Sequence, residues 1–202
     1  MFNNHQPTIQ ASALASPHGL ERVVQFVSLT IRQPIEIVPD VLQDILDGAP
    51  DAERYLFGSK RATFAYAAEN REELYADVMA LFDSPLDDHA REDGIVDRFT
   101  RIPGIGLVKA GFVAQLACGV SGCIDSHNLA RYGINPNTYR ASRYDKASHG
   151  LKKSIVRAYH DHVRMLGGTA FLWDSWCDYV AALRGNMSGH DVSAIHLYAC
   201  TD

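Results

Sequence analysis

The sequence predicts an all-α fold of about eight to ten short helices, and three observations carry that expectation. Apolar residues recur at helical spacing along most of the chain, no alternating strand run is present, and no turn of the Asn-Gly hairpin kind joins two such runs. The 202 residues, 47% hydrophobic and 21% charged, suit one ordered domain and exclude a wholly disordered or fibrous chain. Residues 1–17 are polar and are expected to form a flexible arm ahead of a single helical domain spanning 18–202.

The elements follow in order. Val23, Val24, Phe26, Val27 and Leu29 place a buried helix between Leu20 and Arg32, with a strand as the alternative because so many of these residues are β-branched. Pro39 and Asp40 open a short amphipathic helix that Gly48 closes. Further helices are expected over Lys60–Glu69 and over Glu72–Phe82, the second with Leu74, Val78, Leu81 and Phe82 on one stripe. Ser84-Pro85 breaks the pattern, after which Ile95, Val96 and Phe99 predict a helix ending at Thr100. Towards the C-terminus, Ser154–Leu166 and Phe171–Leu183 have helical period on either side of Gly167-Gly168.

Composition narrows the function classes. The N-terminus lacks a basic start followed by an apolar run, and no stretch approaches the roughly 20 apolar residues that span a bilayer, so an intracellular chain without a membrane partner is expected. Cys118, Cys123, Cys177 and Cys200 form no CxxC pair and read as reduced thiols, mostly core filler. The net charge of −5 speaks against a protein that coats nucleic acid nonspecifically, yet the charge is split by region. Asp40 to Asp97 holds fifteen acidic and five basic residues, whereas Arg98 to Arg164 holds eleven basic and three acidic. The basic stretch is the footprint expected where phosphates dock, with the acidic stretch facing elsewhere; two solvated surfaces of opposite sign are the alternative.

Residues 98–133 carry the chemistry: RFTRIPGIGLVKAGFVAQLACGVSGCIDSHNLARYG. A helix ends at Ile102-Pro103, Gly104-Ile105-Gly106 turns the chain, and a second helix runs from Leu107 to about Cys118. Two glycines let the hairpin bend sharply and leave backbone N–H groups open at a helix start, where a phosphate can bind. Ala110, Gly111, Ala114 and Cys118 form a small-residue face that permits close contact, opposite a bulky face of Phe112, Val113 and Leu116. Nineteen residues after Gly106 comes Asp125, within Cys123-Ile124-Asp125-Ser126-His127-Asn128, at the start of another short helix. As a residue Asp125 is either the N-cap of that helix, a site carboxylate, or both.

This combination resembles the helix-hairpin-helix DNA glycosylases, the endonuclease III-like superfamily, and in its short length a compact phage-type member. The family's L-P-G-V-G hairpin corresponds to Ile102 through Gly106, and its V-D-T-H sequence to Ile124-Asp125-Ser126-His127. The resemblance covers about 35 residues. It implies a two-lobed helical fold around a cleft for double-stranded DNA, a flipped damaged or modified base, and cleavage of its N-glycosidic bond. Asp125 would be the catalytic carboxylate, stabilising charge on the sugar or activating the attacking water. Pro103, Gly104, Ile105 and Gly106 would grip the backbone, joined by His127, Arg131, Arg143, Lys146, Lys152 and Lys153, with neighbouring tyrosines available for stacking.

The chain departs from the family pattern in two places. The lysine of bifunctional members falls at Val108, and Lys109 stands one position later, rotated by about 100° around the helix. Lys109 lies on the face of Phe112, where desolvation would make it a reactive amine; otherwise it reaches out to solvent or phosphate. A monofunctional enzyme using water is expected, with weak lyase activity from Lys109 at most. Only Cys177 and Cys200 lie near the C-terminus, so no four-cysteine iron–sulfur cluster, no metal and no other cofactor is expected. His160 and His162, two apart on a helix, read as surface histidines, and Phe171 to Tyr179 reads as an aromatic core stretch. Working as a monomer is the expectation. The rivals are a noncatalytic DNA-binding module, which Val108 makes credible, and an enzyme that modifies or exchanges a base on the same scaffold.

Overall fold

The computed structural model describes residues 6–33, 37–135, 137–139 and 144–183. These form ten α-helices and, among the described residues, no strand. In chain order they are α1 (Gln6–Ala15), α2 (Pro17–Leu29), α3 (Val38–Leu46), α4 (Lys60–Glu69), α5 (Arg71–Phe82), α6 (Asp88–Thr100), α7 (Leu107–Cys118), α8 (Ser126–Arg131), α9 (His149–Met165) and α10 (Gly168–Leu183), with a 3-10 turn at Ala52–Tyr55. No helix among them is long and apolar enough to cross a membrane.

Two helices form the centre. On α2, every residue from Val23 to Leu29 is buried, and so is every residue of α7 from Ala110 to Cys118. Burial on all sides explains why the β-branched run of α2 is helical: in a helix its backbone polar groups pair internally while its side chains join the core. Helices α1, α3, α4, α5 and α7 pack on α2, and α1, α2 and α6 pack on α7. One apolar core therefore runs from Ile9 in α1 to Trp173 in α10.

Local signals set several boundaries. Ser16 caps α2 by accepting a hydrogen bond from Gly19 N, with Pro17 in the first turn. Asp87 caps α6 and Ser148 caps α9 in the same way. Gly119, at φ +66°, ends α7 in the left-handed conformation.

The arm expected over residues 1–17 is corrected across 6–15. These residues form α1, with Ile9 and Ala13 fully buried and Gln10 Nε2 donating to Cys118 O at 3.2 Å. A Cβ on Gly19 would fall 2.1 Å from Ser12 O, so the absence of a side chain there lets α1 close onto α2.

The acidic stretch does not face away from the basic one. Helix α6 packs on α9, where Asp93 accepts from Arg157 at 2.8 Å and Glu92 pairs with Arg164. His160 is not a surface residue either. It is fully buried, with Nδ1 2.6 Å from Asp93 Oδ1, while His162 meets the hydroxyl of Tyr139.

Candidate functional site

The bend between α6 and α7 is a tight turn closed by Ile105 N donating to Ile102 O at 3.0 Å. Pro103 takes its second position and Gly104, at φ +85°, its third, which is the residue pattern of a type II turn. Ile102 and Ile105 are buried and anchor the bend, while Pro103 and Gly104 are exposed. Gly106 is the N-cap of α7 and, being glycine, supplies no side-chain cap to the first-turn N–H groups of that helix.

Helix α4 supports the bend from behind. Thr63 Oγ1 donates to Pro103 O at 2.6 Å, and a Cβ on Gly104 would come within 2.7 Å of both Ser59 and Thr63. Glycine at 104 is thus required twice, by its φ and by this contact.

After Gly119 the chain folds back along α7. Gly111 has no side chain because Gly122 O and Tyr159 of α9 occupy that space; a Cβ would lie 2.7 Å from the first and 2.8 Å from the hydroxyl of the second. At Gly111, then, the small-residue face of α7 accepts a returning loop and a tyrosine of α9. Side chains from three helices pin that loop. Glu92 accepts from Ser121 N at 2.7 Å and Gln115 Oε1 from Cys123 N at 3.0 Å; the Tyr159 hydroxyl accepts from Ile124 N at 2.9 Å and donates to Gly122 O at 2.6 Å. With its polar backbone satisfied in the interior, the loop has one conformation to adopt.

Asp125 closes the loop. Its Oδ1 accepts from Asn128 N at 3.0 Å, which makes it the N-cap of α8, and its side chain stays partly exposed. The Asp125 and Lys109 charges act in opposite directions on the same buried Cys123 thiol. The carboxylate and the amine singled out in the sequence thus both act on Cys123.

Lys109 is half-buried. Its Nζ donates to Thr30 Oγ1 at 2.8 Å and sits 5.5 Å from the Phe112 ring centroid, so it does lie on the Phe112 face. Next to it is Lys60, which sequence reasoning missed. Lys60 is 1% exposed, its Nζ donates to Leu29 O at 3.1 Å and lies 4.1 Å from the Phe57 ring centroid. Burial, reinforced by the charge of Lys109, brings the Lys60 amine down to about 8. A signal was legible: Lys60, Thr63, Phe64 and Ala67 occupy positions i, i+3, i+4 and i+7, the inward stripe of α4, and a lysine on such a stripe needs a reason.

The predicted phosphate contacts divide. Tyr144 OH meets Thr100 Oγ1 at 3.1 Å and Lys152 Nζ lies 5.2 Å from the Tyr144 ring, so the start of α9 abuts the end of α6 just before the bend. Lys146 and Lys153 are exposed, and among the described residues neither they nor Lys152 are in an ion pair. Arg131 is exposed but donates to Ser175 O at 3.0 Å, tying α8 to α10. Arg143 and the side chain of His127 lie outside the described residues, as do the side chains of Cys177 and Cys200.

Cys118 and Cys123 are free and buried, and burial pushes both thiols up to about 12. Trp173 is buried in the core, in line with a packing role for the aromatic stretch. Among the described residues no three His, Cys, Asp or Glu side chains form a metal-holding group.

Searches of family models, curated proteins and solved structures found no match. The reading therefore rests on the chain's own residues. One further feature bears on it, a groove of about 720 Å³ between α6 and α9 whose lining includes Asp93, Asp97, Arg101, Lys153 and Arg157 but not Asp125.

Proposed function

We propose that this chain is a helix-hairpin-helix enzyme of the DNA glycosylase type, acting on double-stranded DNA. The bend at Pro103–Gly106 and the open first turn of α7 hold a backbone phosphate, through N–H groups and the positive end of the helix dipole. Lys146, Lys152 and Lys153 extend the contact along the strand. The helices divide into two lobes, and an extruded nucleotide enters between them beside Asp125. As the base departs with the bonding electron pair, the carboxylate stabilises the positive sugar carbon and takes a proton from the water that adds there, and that proton passes on to the departed base. The products are the free base and an abasic sugar.

The observation that carries this reading is the return of residues 119–125 along α7. It supports a carboxylate on the same side as the bend, as the chemistry needs. Asp125 also caps α8, which holds its side chain in place at the end of that loop.

A binding module without chemistry is the second reading, favoured by Val108 at the family's lysine position and by a groove that does not include Asp125. One experiment separates the two. Duplexes carrying a panel of altered bases are incubated with the protein and heated in alkali. The enzyme produces breaks at one or more of these bases, and Asp125→Asn reduces them at least 100-fold while still binding. Tight binding with no breaks on any duplex makes the chain a module, and no binding to any duplex sinks both readings.

A further inference from the structure

Lys60 combines three features that an ordinary structural lysine lacks together. It is almost fully buried, its amine donates to Leu29 O as its one hydrogen-bond acceptor among the described residues, and a second amine stands near it, held by Thr30, the next residue along from that acceptor. A lysine that only capped the C-terminal end of α2 would be a stable ammonium, since carbonyls at a helix end favour positive charge. Here Lys109 brings a competing cation to the same helix end, and water is excluded. Desolvation and a neighbouring cation are the two means by which a lysine becomes a nucleophile near neutral pH. Phe57 covers the amine from the loop before α4 and is itself 42% exposed, so it closes the path from solvent.

We propose that Lys60 is a nucleophilic amine that forms an imine with an aldehyde carbon admitted past Phe57 to the junction of α2, α4 and α7. The neutral amine adds its lone pair to the carbonyl carbon, and the oxygen gains a proton to give a carbinolamine. Loss of one water leaves the C=N bond, so amine plus aldehyde yields imine plus water with no oxidant or reductant. The ligand class is an aldehyde. It comes either from a small free carbonyl compound or from the open-chain sugar of an abasic site; only the second source rests on the function proposed above.

The test is reductive trapping on the wild-type protein. The chain has five lysines, at 60, 109, 146, 152 and 153, so peptide mapping resolves them from one another and from the terminal amine. With limiting glycolaldehyde and cyanoborohydride at pH 7.5, Lys60 is expected to carry at least fivefold more adduct than any other lysine, a preference that vanishes in urea. Phe57→Ala is expected to raise the Lys60 rate several-fold, and Lys109→Met to lower it by removing the neighbouring cation. Adduct confined to lysines 146, 152 and 153, with Lys60 unmodified in both the wild type and Phe57→Ala, overturns the proposal. A parallel arm replaces glycolaldehyde with a duplex containing one abasic site. Trapping at Lys60 by the small aldehyde but not by this duplex keeps the amine and removes its link to DNA.

Discussion

The α6–α9 interface and the α2–α4–α7 junction are both rich in charge, and they handle it in opposite ways. At the first, Arg157 and His160 both contact Asp93, and Arg164 pairs with Glu92. At the second, Lys60 donates to a carbonyl and Lys109 to a hydroxyl, and among the described residues neither is in an ion pair. Neutralised pairs fasten elements together, whereas uncompensated cations are expensive to keep unless a ligand uses them. The difference separates the charges that hold this molecule together from those available for its work.

The most damaging way to break the comparison is at the point where both regions depend on α7. Gly111→Val places a side chain into Gly122 O and the Tyr159 hydroxyl, and is expected to lower stability by ~3 kcal/mol or more, read by thermal or denaturant unfolding. Next is Tyr159→Phe, which leaves Gly122 O and Ile124 N buried without their partner, at a cost of ~2 kcal/mol. The same variant should loosen the loop that presents Asp125, seen as faster amide exchange at 121–125.

Asp93→Asn tests the fastening role by removing the charge that Arg157 and His160 share. A loss of ~1–2 kcal/mol with DNA affinity unchanged fits neutralised structural pairs, and a large change in affinity refutes that assignment. Asp125→Asn sharpens the other side of the contrast. Asparagine caps helices about as well as aspartate, so stability should move by less than ~0.5 kcal/mol while any base release is lost.

The smallest effect concerns pH. Cys118 and Cys123 have thiols pushed up to about 12 from an ordinary value near 9, so the unfolded chain releases their protons first. Their contribution is intact below pH 9 and fades as pH rises towards 12. Lys60 has the reverse sign: its amine is lowered to about 8, so its burial costs most below pH 8 and the cost is gone above the ordinary lysine value near 10.5. In practice neither buried thiol should react with iodoacetamide at pH 8 until the protein is unfolded.

Much of the fold was legible because its helices have apolar stripes and punctuated ends. The boundaries of α4 and α7 fall where the pattern put them, and Gly48, Gly119 and Gly167 mark real breaks. Helix α1 was missed for a physical reason. Among its described side chains Ile9 and Ala13 are the deeply buried apolar ones, and it is held by docking on α2 and α7 rather than by its own periodicity. At the candidate site, the bend, Asp125 and Lys109 could be named from spacing. Lys60 stood on the inward stripe of α4 and was passed over; its partners Leu29 and Lys109, and the burial of His160 against Asp93, were not in the spacing because they come from far along the chain. Regional charge also misled, since opposite signs in separate stretches attract and folded α6 against α9.

The double requirement at Gly104 reaches beyond the bend itself. Ser59 and Thr63 press on that residue, and Lys60 lies between them in sequence on the same helical turn. A shift of the Pro103–Gly104 corner would therefore bear on the turn of α4 that carries the buried amine. A corner lifted from another protein would not mesh with α4, and swapping it would disengage the two.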